Sequence, residues 1–185
     1  MGTIHVHEFV SLDGVFENPS WTAPYGMTEE MMGVIGAITA SSSAILLGRR
    51  TYEMFAPAWS ARTVEEDPGA PFFNETTKYV VSSTLATADA WQNSHVFGGY
   101  DASAVRELKE RVDGGIYISG SGWLVRALLS DRLVDELHLF VYPVVLGTGA
   151  KLFPEDSPRT PLALADSEAY DNGVLHLTYA PAGGA

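Results

Sequence analysis

The sequence predicts an α/β domain: a mostly parallel central sheet with helices on both faces and an antiparallel C-terminal hairpin. Three observations carry that reading. Through the first three quarters of the chain, short apolar runs alternate with segments of helical spacing, the order that builds a parallel sheet. The last part holds strand patterns alone, and its final pair is joined by Asp171-Asn172-Gly173, a strong hairpin signal. A length of 185 residues with 46% hydrophobic residues fits one domain with a full core, and no repeat or linker divides it. One domain is expected over residues 1–180, with a flexible tail at 181–185.

The elements follow in order. Residues 3–10 are β-branched and aromatic, and they end at the turn Ser11-Leu12-Asp13-Gly14. Residues 17–27, with Pro19, Pro24 and Gly26, read as a loop. Thr28 followed by Glu29 and Glu30 marks a helix start, with acids at the positive end of the macrodipole. That helix stops at Ser41-Ser42-Ser43, and Ala44–Leu47 reads as a strand covered on both faces. Met31 to Gly48 lacks charge for eighteen residues, but Gly33, Gly36, Thr39 and the serines make it too polar for a membrane span. The segment after Gly48–Glu53 carries Pro57, Pro68, Gly69 and Pro71 and reads as a loop. Lys78–Val81 and Ser94–Phe97 are strands closed by Ser82-Ser83-Thr84 and Gly98-Gly99. Asp101 caps a helix with Val105, Leu108 and Val112 at helical spacing. Ile116–Ile118 is a strand leading through Gly120-Ser121-Gly122 into a helix over Trp123–Leu129. Leu137–Val145 is a long strand interrupted by Pro143, and Leu162–Ala169 with Val174–Tyr179 forms the closing hairpin.

Composition removes several functions. Eleven basic against twenty-three acidic residues give a net charge of −12, which repels nucleic acid and anionic membranes alike. With no cysteine, disulfides, thiolate metal sites and cysteine nucleophiles are excluded. The N-terminus lacks the basic and apolar regions of a secretory signal, so a cytoplasmic address is expected. His5 and His7 share one strand face, with Glu8 on the opposite face; they read as satisfied strand histidines, and no metal is expected.

Three segments share one design, an apolar strand ending in small or hydroxyl residues before a turn. They are Leu47-Gly48-Arg49-Arg50-Thr51, Val81-Ser82-Ser83-Thr84 and Ile118-Ser119-Gly120-Ser121-Gly122. In a parallel sheet these ends lie on one edge, where glycine admits a phosphate and a helix N-terminus offers free N–H groups. Together they point to a nucleotide, although neither a P-loop nor a G-x-G-x-x-G fingerprint is present. Asp13, Glu17, Glu29 and Glu30 are the acids placed to act as proton donors. Trp21, Trp59 and Trp91 are candidates to line a flat-ring pocket.

Five motifs occur in a telling order: Ser11-Leu12-Asp13-Gly14, Leu47-Gly48-Arg49-Arg50-Thr51-Tyr52-Glu53, Ser119-Gly120-Ser121-Gly122-Trp123-Leu124, Leu133-Val134-Asp135-Glu136-Leu137 and Pro143-Val144-Val145-Leu146-Gly147-Thr148-Gly149. Over residues 3–180 the chain resembles the reductase domain of bacterial riboflavin-biosynthesis deaminase-reductases, which has the three-layer dihydrofolate reductase fold. The resemblance implies an NADPH-dependent reductase and a homodimer, acting on a small heterocyclic substrate, pyrimidine- or pterin-like, or on a ribosyl imine. By position, Gly48, Arg49 and Thr51 would hold the cofactor phosphates, and Ser82 and Ser83 would flank the adenosine ribose and its 2′-phosphate. Gly120, Ser121, Gly122, Trp123 and Leu124 would pass under the pyrophosphate. The loop Asp13–Trp21 is similar to the loop covering nicotinamide in dihydrofolate reductases, which makes Asp13 and Trp21 substrate-binding candidates; Asp13, and Glu30 a turn from the position of the pterin-gripping carboxylate, are the candidate catalytic acids. Val15 stands where riboflavin-type reductases commonly carry lysine, Trp123 stands where dihydrofolate reductases often carry a basic residue, and Met32 falls near their pterin-gripping carboxylate. A dihydrofolate-type or broad-specificity reductase and a non-catalytic nucleotide- or flavin-binding module are the alternatives.

Overall fold

The structure, a computed structural model, describes residues 1–182. Eight strands form one sheet: β1 (Thr3–Ser11), β2 (Ser42–Gly48), β3 (Thr77–Val81), β4 (Ser94–Gly98), β5 (Gly115–Ile118), β6 (Glu136–Tyr142), β7 (Leu162–Ala169) and β8 (Leu175–Pro181). Their order is β4-β3-β2-β5-β1-β6-β8-β7. The six strands from β4 to β6 are parallel, and β8 runs antiparallel to both β6 and β7. The predicted α/β sheet with its antiparallel C-terminal hairpin is the one found.

Helices cover both faces. On one side α1 (Glu29–Ala40), α2 (Arg49–Trp59) and α3 (Ala70–Glu75) place Ile38, Tyr52, Ala56 and Phe73 against Ile45, Leu47, Val80 and Tyr117. On the other, α4 (Ala102–Arg111) and α5 (Gly122–Ser130) pack Val105, Leu108, Leu124 and Leu128 on Ile4, Val6, Leu46, Ile116 and Ile118. Alternation along β2 divides its side chains between these two cores, Ala44 and Leu46 on one and Ile45 and Leu47 on the other, so both faces of this central strand are apolar. Thr28 caps α1 by accepting from Met31 N at 3.2 Å, and Asp101 caps α4 through Ser103 N and Ala104 N.

Three local readings are corrected. Residues 49–59 are helical although they contain Pro57. Proline removes only one N–H late in the helix, and burial of Tyr52 and Ala56 outweighs that loss. Pro71 likewise sits in the first turn of α3, where its missing N–H costs nothing. The loop before α1 contains a short 3₁₀ helix, Pro19–Tyr25. At the other end, β8 reaches Pro181, and Ala182 N donates to Pro161 O at 3.3 Å. The remainder of the expected tail, 183–185, lies outside the described residues. Among those described, no helix is long and apolar enough to cross a membrane.

Candidate functional site

The C-terminal ends of the parallel strands form one edge, and a cleft of about 1040 Å³ opens there. Its walls are Glu8 of β1, Gly48–Thr51 at the β2–α2 junction, Ser82–Thr84 after β3, and Ser119–Trp123 between β5 and α5. Two helices therefore begin in the cleft. Gly48 and Ser121 are their N-caps, and neither makes a side-chain capping bond, so the first-turn N–H groups remain available to an anion.

Glycine is required where these junctions touch. Gly48 N donates to Gly120 O at 3.4 Å. A Cβ on Gly48 would collide with Ser121 Oγ and lie 3.0 Å from Ser121 N. Gly120 has φ +78°, and a Cβ there would come within 2.6 Å of Thr51 Oγ1. The Gly120–Ser121 peptide is cis.

Charge is inverted locally. Arg49, Arg50, Arg126 and Lys151 line the cleft with only Glu8, Glu17 and Glu155 as acids, in a chain of eleven cations and twenty-three acids. Arg49 spans the mouth: Nε donates to Glu53 Oε1 at 2.7 Å and a terminal nitrogen donates to Thr84 Oγ1 at 2.7 Å. Arg126 donates to Leu152 O at 2.8 Å. Ser82 Oγ accepts from Thr84 N and Leu85 N, which shapes the third wall.

Glu8 is the acid set deepest in the cleft wall, only 5% exposed. The Gly120 backbone lies beside it, and its Oε1 has no hydrogen-bond partner among the described residues. Burial pushes its carboxyl up to about 8, against a smaller lowering by the nearby Gly120 backbone. At neutral pH it is a neutral acid, able to donate a proton into the cleft. On the opposite sheet face, burial holds His7 down to about 3, with help from His138 and His176. Its Nδ1 shares a 2.9 Å hydrogen bond with Tyr117 OH.

Of the residues singled out from sequence, Gly48, Arg49, Thr51, Ser82, Ser83, Gly120, Ser121, Gly122 and Trp123 all line the cleft. Leu124 lies behind it, fully buried in the core. Asp13 is elsewhere: its carboxylate accepts from Ser11 Oγ at 2.6 Å, Leu146 N at 3.1 Å and Gly147 N at 2.8 Å. Those donors, Ser11 first, hold it at about 2, so it is an ionised clamp between loops with no proton to give. Glu30 is exposed in the first turn of α1, outside the cleft, and its own backbone N–H, then Thr28, lowers its pKa. Trp21 also misses the lining: it packs edge-to-face on Tyr142 at 5.5 Å, and its Nε1 donates to Glu17 O. Trp59 stacks on Phe73 and Trp91 is buried, so the tryptophans form no common ring pocket. The covering loop does contribute Phe16, Glu17, Asn18 and Pro19, anchored where Glu17 Oε1 accepts from Ala150 N at 2.9 Å.

Sequence reasoning passed over Glu8, Tyr100, Arg126 and Lys151. For Glu8 a signal existed. Ile4, Val6 and Val10 share its strand face, so it is the one charged position in an apolar row.

Comparison with known proteins agrees with this architecture. The model of the RibD C-terminal domain family matches residues 3–176. An uncharacterized Bacillus subtilis protein, YyaP, is 26% identical over 92% of this chain and 90% of its own length. A protein provisionally assigned to riboflavin biosynthesis, from Shewanella sp. PV-4, superimposes with a TM-score of 0.80 at 19% identity, covering 98% of this chain and 99% of the other. Dihydrofolate reductase from Enterococcus faecalis, solved with NADP(H), gives a TM-score of 0.61 at 16% identity, covering 97% and 96%. The fold is thus dihydrofolate reductase-like, and the chain belongs to the RibD C-terminal domain family.

Proposed function

We propose that the protein is an NADPH-dependent reductase whose substrate is a flat pyrimidine- or pterin-like heterocycle or a ribosyl imine. The observation that carries this reading is a buried neutral acid, Glu8, set beside the same Gly120 turn that opens onto two uncapped helix N-termini. The donor set fits a dinucleotide. The α2 and α5 N-termini with Arg49 and Thr51 would take phosphates, Ser82 and Ser83 would flank the adenosine ribose, and Gly120–Gly122 would let the pyrophosphate approach the backbone. Bound there, NADPH supplies a hydride. The chain's own part is positioning and proton supply. Glu8 Oε1 would donate its proton to the ring or imine nitrogen next to the reduced carbon, and the carboxylate left behind would recover a proton from solvent. Phe16 and the Glu17–Pro19 loop would close over the reacting pair and exclude water.

Calorimetric titration with NADPH and NADH, with FMN as control, tests the reading. Micromolar NADPH binding ahead of NADH supports it, and cofactor oxidation with a panel of pyrimidine and pterin substrates would then identify the acceptor. No nicotinamide binding, or binding of FMN instead, would mean a nucleotide- or flavin-binding module without this chemistry.

A further inference from the structure

Four of the chain's five histidines lie on one face of three neighbouring strands: His5 and His7 on β1, His138 on β6 and His176 on β8. The parallel register sets His5 beside Glu136 and His7 beside His138. Their side chains do not simply pair off. One carboxylate oxygen, Glu136 Oε2, meets His5 Nδ1 at 2.9 Å and His138 Nε2 at 3.2 Å. The three donor atoms all lie within 4.8 Å of one another. Ligand atoms about 2.0–2.1 Å from a tetrahedral ion stand about 3.3 Å apart, so slight rotations would close this set around a cation.

The outward ring nitrogens complete the pattern. His5 Nε2 lies 2.8 Å from Thr3 Oγ1, and His138 Nδ1 lies 3.1 Å from His176 Nε2. Each can therefore donate its remaining N–H to an acceptor while turning a bare nitrogen toward Glu136, as metal-bound imidazoles do. His7 is not part of the set, because its Nδ1 is bonded to Tyr117 OH.

We propose that His5, Glu136 and His138 bind one zinc-class divalent cation, with a solvent molecule in the fourth position. Two imidazoles and a carboxylate favour a late first-row ion over magnesium or calcium. The two histidines are largely buried, at 14% and 8% side-chain exposure, whereas Glu136 is 46% exposed and leaves an entry path. His5 and Glu136 stand near the N-terminal ends of β1 and β6, away from the cleft at the other edge. The ion would tie those two strands together and take no part in hydride transfer.

The test uses the untagged full chain and added Zn²⁺ alone, followed by equilibrium dialysis and metal analysis. One tightly held Zn²⁺ per chain is expected. His138→Gln or Glu136→Gln should weaken binding more than tenfold, and His176→Phe, which keeps the aromatic stack but removes the acceptor, about 10- to 100-fold. His95→Gln, at the exposed fifth histidine on β4, should change nothing. Failure of the wild type to take up stoichiometric Zn²⁺, or equal uptake by folded His138→Gln, overturns the proposal. Should the ligand variants fail to fold, Co²⁺ added to the wild type decides. A visible band of tetrahedral intensity that Zn²⁺ bleaches supports the site, and its absence refutes it.

Discussion

Replacing Glu8 with glutamine keeps the side chain's shape and its place beside Gly120 but removes the titrating proton. The expected effect on stability has a definite sign. Below the ordinary carboxyl value of 4.5, Glu8 is protonated in both the folded and the unfolded chain. As pH rises, the unfolded chain releases that proton while the folded protein keeps it until about 8. The folded state is therefore progressively disfavoured between these values, and stability conferred at low pH is lost as pH climbs through the folded pKa. From pH 5.5 to pH 8 the wild type should lose about 3 kcal/mol relative to Glu8→Gln. Urea denaturation followed by tryptophan fluorescence, at both pH values and for both proteins, measures it. If Glu8 also supplies the proton during reduction, kcat/KM in the variant should fall by about 10²–10⁴, and the alkaline limb of the wild-type pH profile should disappear. Parallel pH slopes in the two proteins would refute the burial argument. A full-rate variant would remove Glu8 from the chemistry while leaving its burial intact.

Further outcomes follow from the same geometry. Arg49→Ala should weaken NADPH binding about tenfold, or about 1.5 kcal/mol, the low end for a charge-assisted bond because the side chain is 47% exposed. Unchanged affinity in calorimetry would take Arg49 out of the site. Gly48→Ala should destabilise the fold by about 1–3 kcal/mol in urea titrations and abolish cofactor binding, since the new methyl meets the Ser121 backbone. A variant as stable as the parent would mean that the two junctions can part freely. The family resemblance predicts a homodimer. Light scattering after size exclusion should give twice the 19.9 kDa chain mass, and a monomer at every concentration would contradict it.

Much of this molecule is legible in its sequence where local chemistry decides the outcome. Apolar runs bounded by glycine and serine marked the parallel strands, and Asn172-Gly173 marked the hairpin. The cleft was legible because three strand ends share small residues and the topology brings parallel strand ends to one edge. What local reading could not supply is partnership across the chain. An Asp-Gly turn has the same sequence whether its carboxylate faces a substrate or, as at Asp13, backbone donors 133 and 134 residues away. Glu8 becomes a perturbed acid only because the folded chain buries it, and neighbours far along the chain, Gly120 among them, surround it. Pro57 misled for the opposite reason, since a tertiary contact rescued a helix that propensity alone would have ended.

The close approach of Gly48 to Ser121 divides the cleft into a part that can drift and a part that cannot. Positions 48 and 120 sit at the interlock of two strand–helix junctions, where even one added carbon has nowhere to go. Arg49, one residue after Gly48, and Trp123, three after Gly120, stand about half in solvent. For the nucleotide proposed above, retuning would therefore proceed at the rim by ordinary surface substitution with little effect on folding, while the floor stays constant. A library meant to switch cofactor preference should randomise Arg49, Ser83 and Trp123 and leave both glycines untouched.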